Sequence, residues 1–160
     1  MTDKLLLTVC LGCLGALVGL GICMRMKRRA EYFGDLDDFL RAFSESLSFT
    51  RDTVPELMRG YVARSPLLGE QLAECAAAMK SGRKAEISGG SLTKEEKRLV
   101  AETLASLGSR PPDAEKGAVE ECRRKLGVCG KRAADTYARS GKAAVKLGLL
   151  AGLLAAVLCW

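Results

Sequence analysis

LLLTVCLGCLGALVGLGICM, residues 5–24, is the stretch that decides the architecture of this chain. It is twenty residues long and contains no charge, Pro, Asn or Gln. Coiled at about 1.5 Å per residue it makes roughly 30 Å of helix, the thickness of a bilayer's hydrocarbon core. Helices buried in a globular core rarely show an apolar face all round for five turns. The stretch therefore reads as an uncleaved N-terminal transmembrane anchor. A secretory leader is the competing account, but the run is longer than a leader's apolar region and no A-x-A site follows it.

The opposite end repeats the theme. Residues 147–160 are apolar throughout, only about 21 Å of helix and too short to span alone. Counted from Ala143 the segment has eighteen residues, takes in Lys146 and reaches roughly 27 Å. A lysine one turn inside the boundary can snorkel to the headgroups. Trp160, the single tryptophan, sits where an interfacial aromatic anchor belongs. Gly148 and Gly152 form a Gly-x-x-x-Gly, a spacing that lets another membrane helix come close.

Charge then sets the sidedness. The net charge of +6 resembles a nucleic-acid signal until it is located. Residues 30–141 hold eighteen Lys plus Arg and eighteen Asp plus Glu, and Lys4 cancels Asp3. The excess is Arg25, Lys27, Arg28 and Arg29 after the first apolar run, with Lys142 and Lys146 at the second. This is positive-inside asymmetry, which puts the middle of the chain in the cytoplasm and both ends outside. The same groups attract anionic lipid headgroups, and nucleic-acid binding loses its main support.

Catalysis and cofactors find no residues to use. The chain has no histidine, and Gly89-Gly90-Ser91 lacks the lysine and flanking strand of a phosphate loop. Of seven cysteines, Cys10, Cys13, Cys23 and Cys159 lie in the apolar ends, leaving Cys75, Cys122 and Cys129. Cys122 and Cys129 are seven apart, two turns along one helix, which suits packing and not chelation. All seven read as small reduced hydrophobes. The expectation is no enzyme, no metal, no cofactor and no small-molecule substrate.

The middle reads as helices, since β-branched alternation is absent. Leu36, Phe39, Leu40, Phe43 and Leu47 recur three or four apart in a helix ending near Phe49, the centre of a small core. Thr53-Val54-Pro55 starts a second helix that faces Leu57, Met58, Tyr61 and Val62 inward until Ser65-Pro66 interrupts. A third carries Leu67, Leu68, Leu72, Cys75, Ala76 and Met79, and residues 81–91 form a loop whose basic members, Arg83 and Lys84, read as a solvated turn. Thr93-Lys94-Glu95-Glu96 is a capping box opening a helix with Leu99, Val100, Thr103, Leu104 and Leu107 inward, closed by Gly108. After Pro111-Pro112-Asp113 the last helix runs into the C-terminal span. Its inward positions are Val119, Cys122, Leu126, Cys129, Ala133, Thr136, Ser140, Ala144 and Leu147, set against the Phe39 helix. The expected class is all-α: a small cytoplasmic helical bundle between N- and C-terminal transmembrane helices. The divisions are 1–29 anchor and basic flank, 30–142 helical domain, and 143–160 second span.

In this order and spacing the features resemble the stage III sporulation protein AB family of spore-forming Firmicutes over essentially the full length. The resemblance rests on the span closed by Arg28-Arg29, the Leu36–Phe39–Phe43 stripe, Thr53-Val54-Pro55-Glu56-Leu57, Leu92-Thr93-Lys94-Glu95-Glu96, Ser106-Leu107-Gly108, and the tail from Lys146 to Leu154. It implies a membrane protein in the mother cell, at the outer forespore membrane, within a channel-like complex. It further implies a soluble part similar to the inner-membrane platform domains of type II secretion and type IV pilus machines, with a secretion-type ATPase and other channel subunits as partners. Opposite charges at Glu95-Glu96 with Lys97-Arg98, and at Glu120-Glu121 with Arg123-Arg124-Lys125, are candidates for setting partner register. A membrane-bound adaptor or regulator outside any secretion machine rests on the same physics.

Overall fold

A computed structural model describes residues 2–47, 53–83, 87 and 91–158, without the side chains of 2–8, 11, 112, 113, 156 and 158. The expectations at the side chains of Leu5 to Leu7 and at Phe49, Lys84, Gly89, Gly90, Cys159 and Trp160 lie outside the described residues. The chain is all-α. Its helices are α1 (Thr2–Ser46), α2 (Val54–Gly60), α3 (Pro66–Ser81), α4 (Lys94–Ser106) and α5 (Pro112–Leu158). The N-terminal run and the Phe39 stripe, read separately from the sequence, are one helix of 45 residues. No proline interrupts it, and a lone Gly34 costs only about 1 kcal/mol against Ala, too little to stop it. Among the described residues no helix is long and apolar enough to cross a membrane. The fold thus delivers the helical class but does not itself establish the flanking transmembrane helices.

The chain divides into two compact units, residues 31–131 and residues 1–30 with 132–160. In the first, one stripe of α1 supplies the centre: Tyr32, Leu36, Phe39, Leu40 and Phe43 are buried. Around it lie Met58, Leu68, Leu72, Cys75, Ala76, Val100, Leu104, Leu107, Val119 and Leu126, all buried. The Phe39 ring centroid is 5.2 Å from that of Tyr61, edge-on, and 6.1 Å from that of Phe43. Such pairs add roughly 0.5–1.5 kcal/mol to the burial of their area. Leu47 is half-buried, because α1 ends at Ser46 and leaves it in the following turn.

Local chemistry fixes where the short helices start and stop. At α4 the Glu96 N–H donates to Thr93 Oγ1 at 3.3 Å and the Thr93 N–H to the Glu96 carboxylate at 2.9 Å, the reciprocal bonds of a capping box. At α2 the Thr53 N–H and hydroxyl both donate to Glu56, at 2.9 and 2.8 Å, holding that carboxyl below its ordinary value. α3 stops at Gly82, which is left-handed at φ +64°. Gly108 after α4 has φ +80°, and a Cβ there would run into Val54. Val62 was expected inward and is 89% exposed. α2 ends at Gly60, Tyr61 turns extended, and the helical spacing that placed Val62 no longer applies.

In the other unit, residues 2–30 of α1 and 132–158 of α5 run antiparallel and meet through glycine. A Cβ on Gly15 would lie 2.9 Å from the Gly152 Cα, and one on Gly19 would lie 2.6 Å from the Ala144 carbonyl oxygen. Gly141 faces Cys23. The packed positions on α5 are therefore Gly141, Ala144, Val145, Gly148 and Gly152. Thr136, Ser140 and Leu147, expected inward, are exposed. Ala144 packs as expected, whereas backbone contact selects Gly141 and Gly148, one position after Ser140 and Leu147.

Candidate functional site

The residues singled out from the sequence occupy two settings. Leu36, Phe39, Phe43 and Leu126 lie in the core of residues 31–131. Arg25, Lys27, Arg28, Lys142 and Lys146 are exposed and Arg29 is half-buried. The cysteines other than Cys159 are free thiols, with Cys75 buried and its thiol pushed up by that burial.

Polar side chains absent from the sequence reading organise the helical unit. Asp35, buried beside Leu36, accepts from the Tyr61 hydroxyl at 2.8 Å and from the Ser65 N–H at 2.8 Å. It ties the α2–α3 connection to α1. Burial first, and then the bond to Asp35, raise the Tyr61 phenol well above its ordinary value. Tyr32 is raised too, chiefly by burial, and its hydroxyl donates to the buried Gln71. The signal was present as spacing: Tyr32, Asp35 and Phe39 are three and four apart, on the stripe that carries Leu36 and Phe43. Glu115 accepts the Gly108 N–H at 2.7 Å through one oxygen, while its buried second oxygen has no partner among the described residues.

Arg123 forks onto Asp37 at 2.9 and 3.1 Å and also reaches Glu120 at 2.9 Å, which raises its guanidinium. Bidentate geometry of this kind orients as well as attracts, and here it clasps α5 to α1. Arg124 pairs with Glu121 at 2.9 Å and Lys125 with the same carboxylate at 3.5 Å, holding Glu121 low. Arg98 pairs with Glu102 at 3.5 Å, and Glu96 is buried in its capping box. Most charges considered for partner register are thus matched within the fold. An apolar groove of about 360 Å³ separates α3 from α4, lined by Cys75, Ala78, Met79, Ala101, Leu104 and Ala105.

Large apolar side chains behave differently in the second unit. Val9, Leu14, Leu17, Val18, Leu20, Ile22 and Met24 on α1 are exposed, as are Leu147, Leu149, Leu150, Leu153, Leu154 and Val157 on α5. In residues 31–131 the comparable exposed side chains are Val62 and Val128. What this arrangement offers is surface: a helix pair with large apolar side chains outward and a bundle with a closed core.

No curated protein and no solved structure matches the chain. The family described as stage III sporulation protein AB matches residues 4–160, so a helical chain of this design, with its span-like ends and its capped central helices, belongs to that family.

Proposed function

We propose that this protein is a membrane-anchored scaffold subunit of a secretion-like channel complex in endospore formation, and that residues 31–131 dock a secretion-type ATPase. Membership of the family gives it a role in sporulation. The membrane part of the proposal is carried by one observation, the thirteen exposed large apolar side chains on residues 9–24 and 147–157. Monomeric soluble proteins rarely expose a contiguous patch of that kind. Positive-inside charge supports a cytoplasmic position for the bundle; the mother-cell side of the outer forespore membrane is what the family resemblance implies. A scaffolding role suits a chain that offers surface; the ATPase as partner follows from the family resemblance to secretion platforms.

The experiment is crosslinking and affinity capture of the full chain from sporulating cells, with carbonate extraction of the same membranes. The proposal expects the chain in the carbonate-resistant fraction, bringing down an ATPase and small membrane proteins in fixed ratio. A carbonate-resistant chain captured without an ATPase would leave an adaptor role instead.

A further inference from the structure

In residues 31–131, six of the fourteen described cations, Arg41, Arg64, Arg98, Arg123, Arg124 and Lys125, pair with a carboxylate within 4.0 Å, in a unit that also holds many acids. In the other unit Lys27 and Arg29 are engaged within the chain. Arg25, Arg28, Arg132, Arg139, Lys142 and Lys146 are exposed and pair with no acid among the described residues. Asp135 is the one acid among the described side chains of that unit.

The glycine contacts set the heights of these groups. Gly19 lies opposite Ala144 and Val145, and Cys23 opposite Gly141. Continued along both helices, that register brings Arg139 level with Arg25 and leaves Lys142 about one turn away. Arg25, Lys27, Arg28, Arg29, Arg139 and Lys142 therefore fall within about 10 Å of helix height. A bilayer's headgroup region is of similar depth, roughly 5–8 Å on each side of the hydrocarbon. Toward the apolar end, only Lys146 follows among the described side chains, about 6 Å further on and within a lysine's snorkelling reach.

We propose that this belt binds the phosphate groups of anionic phospholipids and thereby selects such lipids around the helix pair. The proposal rests on the reading that the helix pair lies in a bilayer. Arg25, Arg28, Arg139 and Lys142 supply the contacts, because they are exposed and no acid among the described residues pairs with them. Guanidinium groups fork onto phosphate as they do onto carboxylate, and each basic residue near an anionic surface adds its own attraction. Several such groups at one height make a ring that a zwitterionic headgroup cannot neutralise.

The test reconstitutes the full chain into phosphatidylcholine vesicles with trace spin-labelled phosphatidylglycerol or phosphatidylcholine and measures the motionally restricted fraction of each. Expected is a preference of roughly threefold or more for phosphatidylglycerol at low salt. It should vanish by about 0.5 M salt, where screening is short-ranged. R28Q/R139Q should reduce the preference, while R41Q, which removes a paired charge from the other unit, should leave it unchanged. The salt arm uses the unaltered chain and stands even if a variant folds poorly. Equal restriction of the two lipids at low salt, with the chain still carbonate-resistant, overturns the belt and spares the anchor. Displacement of the labelled lipid by inorganic phosphate beyond that by chloride at equal ionic strength would also overturn it, as a free-phosphate site. Release by carbonate removes the anchor and the belt together.

Discussion

In residues 31–131, Tyr32, Phe39 and Phe43 are at most 2% exposed, whereas in the other unit Leu17 and Leu147 are 64% and 65% exposed. Both regions are built from helices and both are rich in leucine. They differ in what lies between the helices. The bundle closes over large side chains and leaves most of its charges at the surface, which is how a core forms against water. The helix pair does the reverse, meeting through Gly15, Gly19, Gly148 and Gly152 and presenting its large side chains outward. Helices in lipid gain nothing by burying leucine against leucine, so they associate by close backbone approach at small residues. One chain thus follows two packing rules, and the border falls near Glu31 on α1 and Lys131 on α5.

The largest expected break in that comparison is Phe39→Asp. An unpaired carboxylate at a position 1% exposed costs roughly 3–5 kcal/mol, much of a domain's stability. The cooperative thermal transition of the bundle should disappear from circular dichroism. The same change at the exposed Leu17 should leave that transition in place. On the proposed membrane reading it should instead cut the carbonate-resistant fraction, since a carboxylate in the middle of a membrane span costs about 3 kcal/mol. If both variants act alike, the two packing rules are not separate.

Next is Gly148→Ala, whose Cβ would run into the Gly15 carbonyl and lie 3.0 Å from the Gly19 Cα. Overpacking of this sort costs about 1–3 kcal/mol and should lower the melting point of the chain in detergent. Gly21→Ala, where a Cβ meets nothing within 4 Å, should be neutral or stabilising by up to about 1 kcal/mol. Equal losses from both would undo the glycine contact.

Asp35→Asn probes the polar tie inside the bundle and should cost about 1–3 kcal/mol in chemical denaturation. It also carries a pH signature. Tyr32 and Tyr61 have folded-state values above the ordinary 10.0. The stability they contribute is therefore fully present below about pH 10 and lost as pH rises through the raised folded values. In ultraviolet titration Tyr61 of Asp35→Asn should ionise at lower pH than in the unaltered chain, though still late, because burial remains the larger cause. The smallest expected loss is Thr93→Ala, about 1 kcal/mol from the α4 cap, read as a small shift in the denaturation midpoint.

Much of the bundle was legible because its apolar residues recur every three or four positions in amphipathic helices. Leu36, Phe39, Phe43, Leu72, Leu104 and Leu126 are buried as that spacing requires, and the Thr93 box is visible as a four-residue pattern. The continuity of α1 was not legible, since a composition change at Arg25 looks like a boundary although the backbone has no reason to stop. Val62 was missed because α2 ended at Gly60, two residues before the pattern did. The phase of α5 was legible in part: Ala144 and the Gly148–Gly152 spacing do lie at the contact, but a heptad-like spacing put Thr136, Ser140 and Leu147 inward where Gly141 and Gly148 pack. Asp35 was missed because an acid on an apolar stripe discloses nothing of its partners, which arrive from 26 and 30 residues away.

The glycine contact also sets an order of events in synthesis. Gly15 and Gly148 are roughly 130 residues apart, and ribosomes add about 5–20 residues per second. The first helix must therefore wait on the order of 10 seconds for its mate. All of residues 31–131 emerge in that interval and can finish folding first. The nascent chain thus holds an unmatched glycine face in reserve, and the closing of the helix pair is its last step.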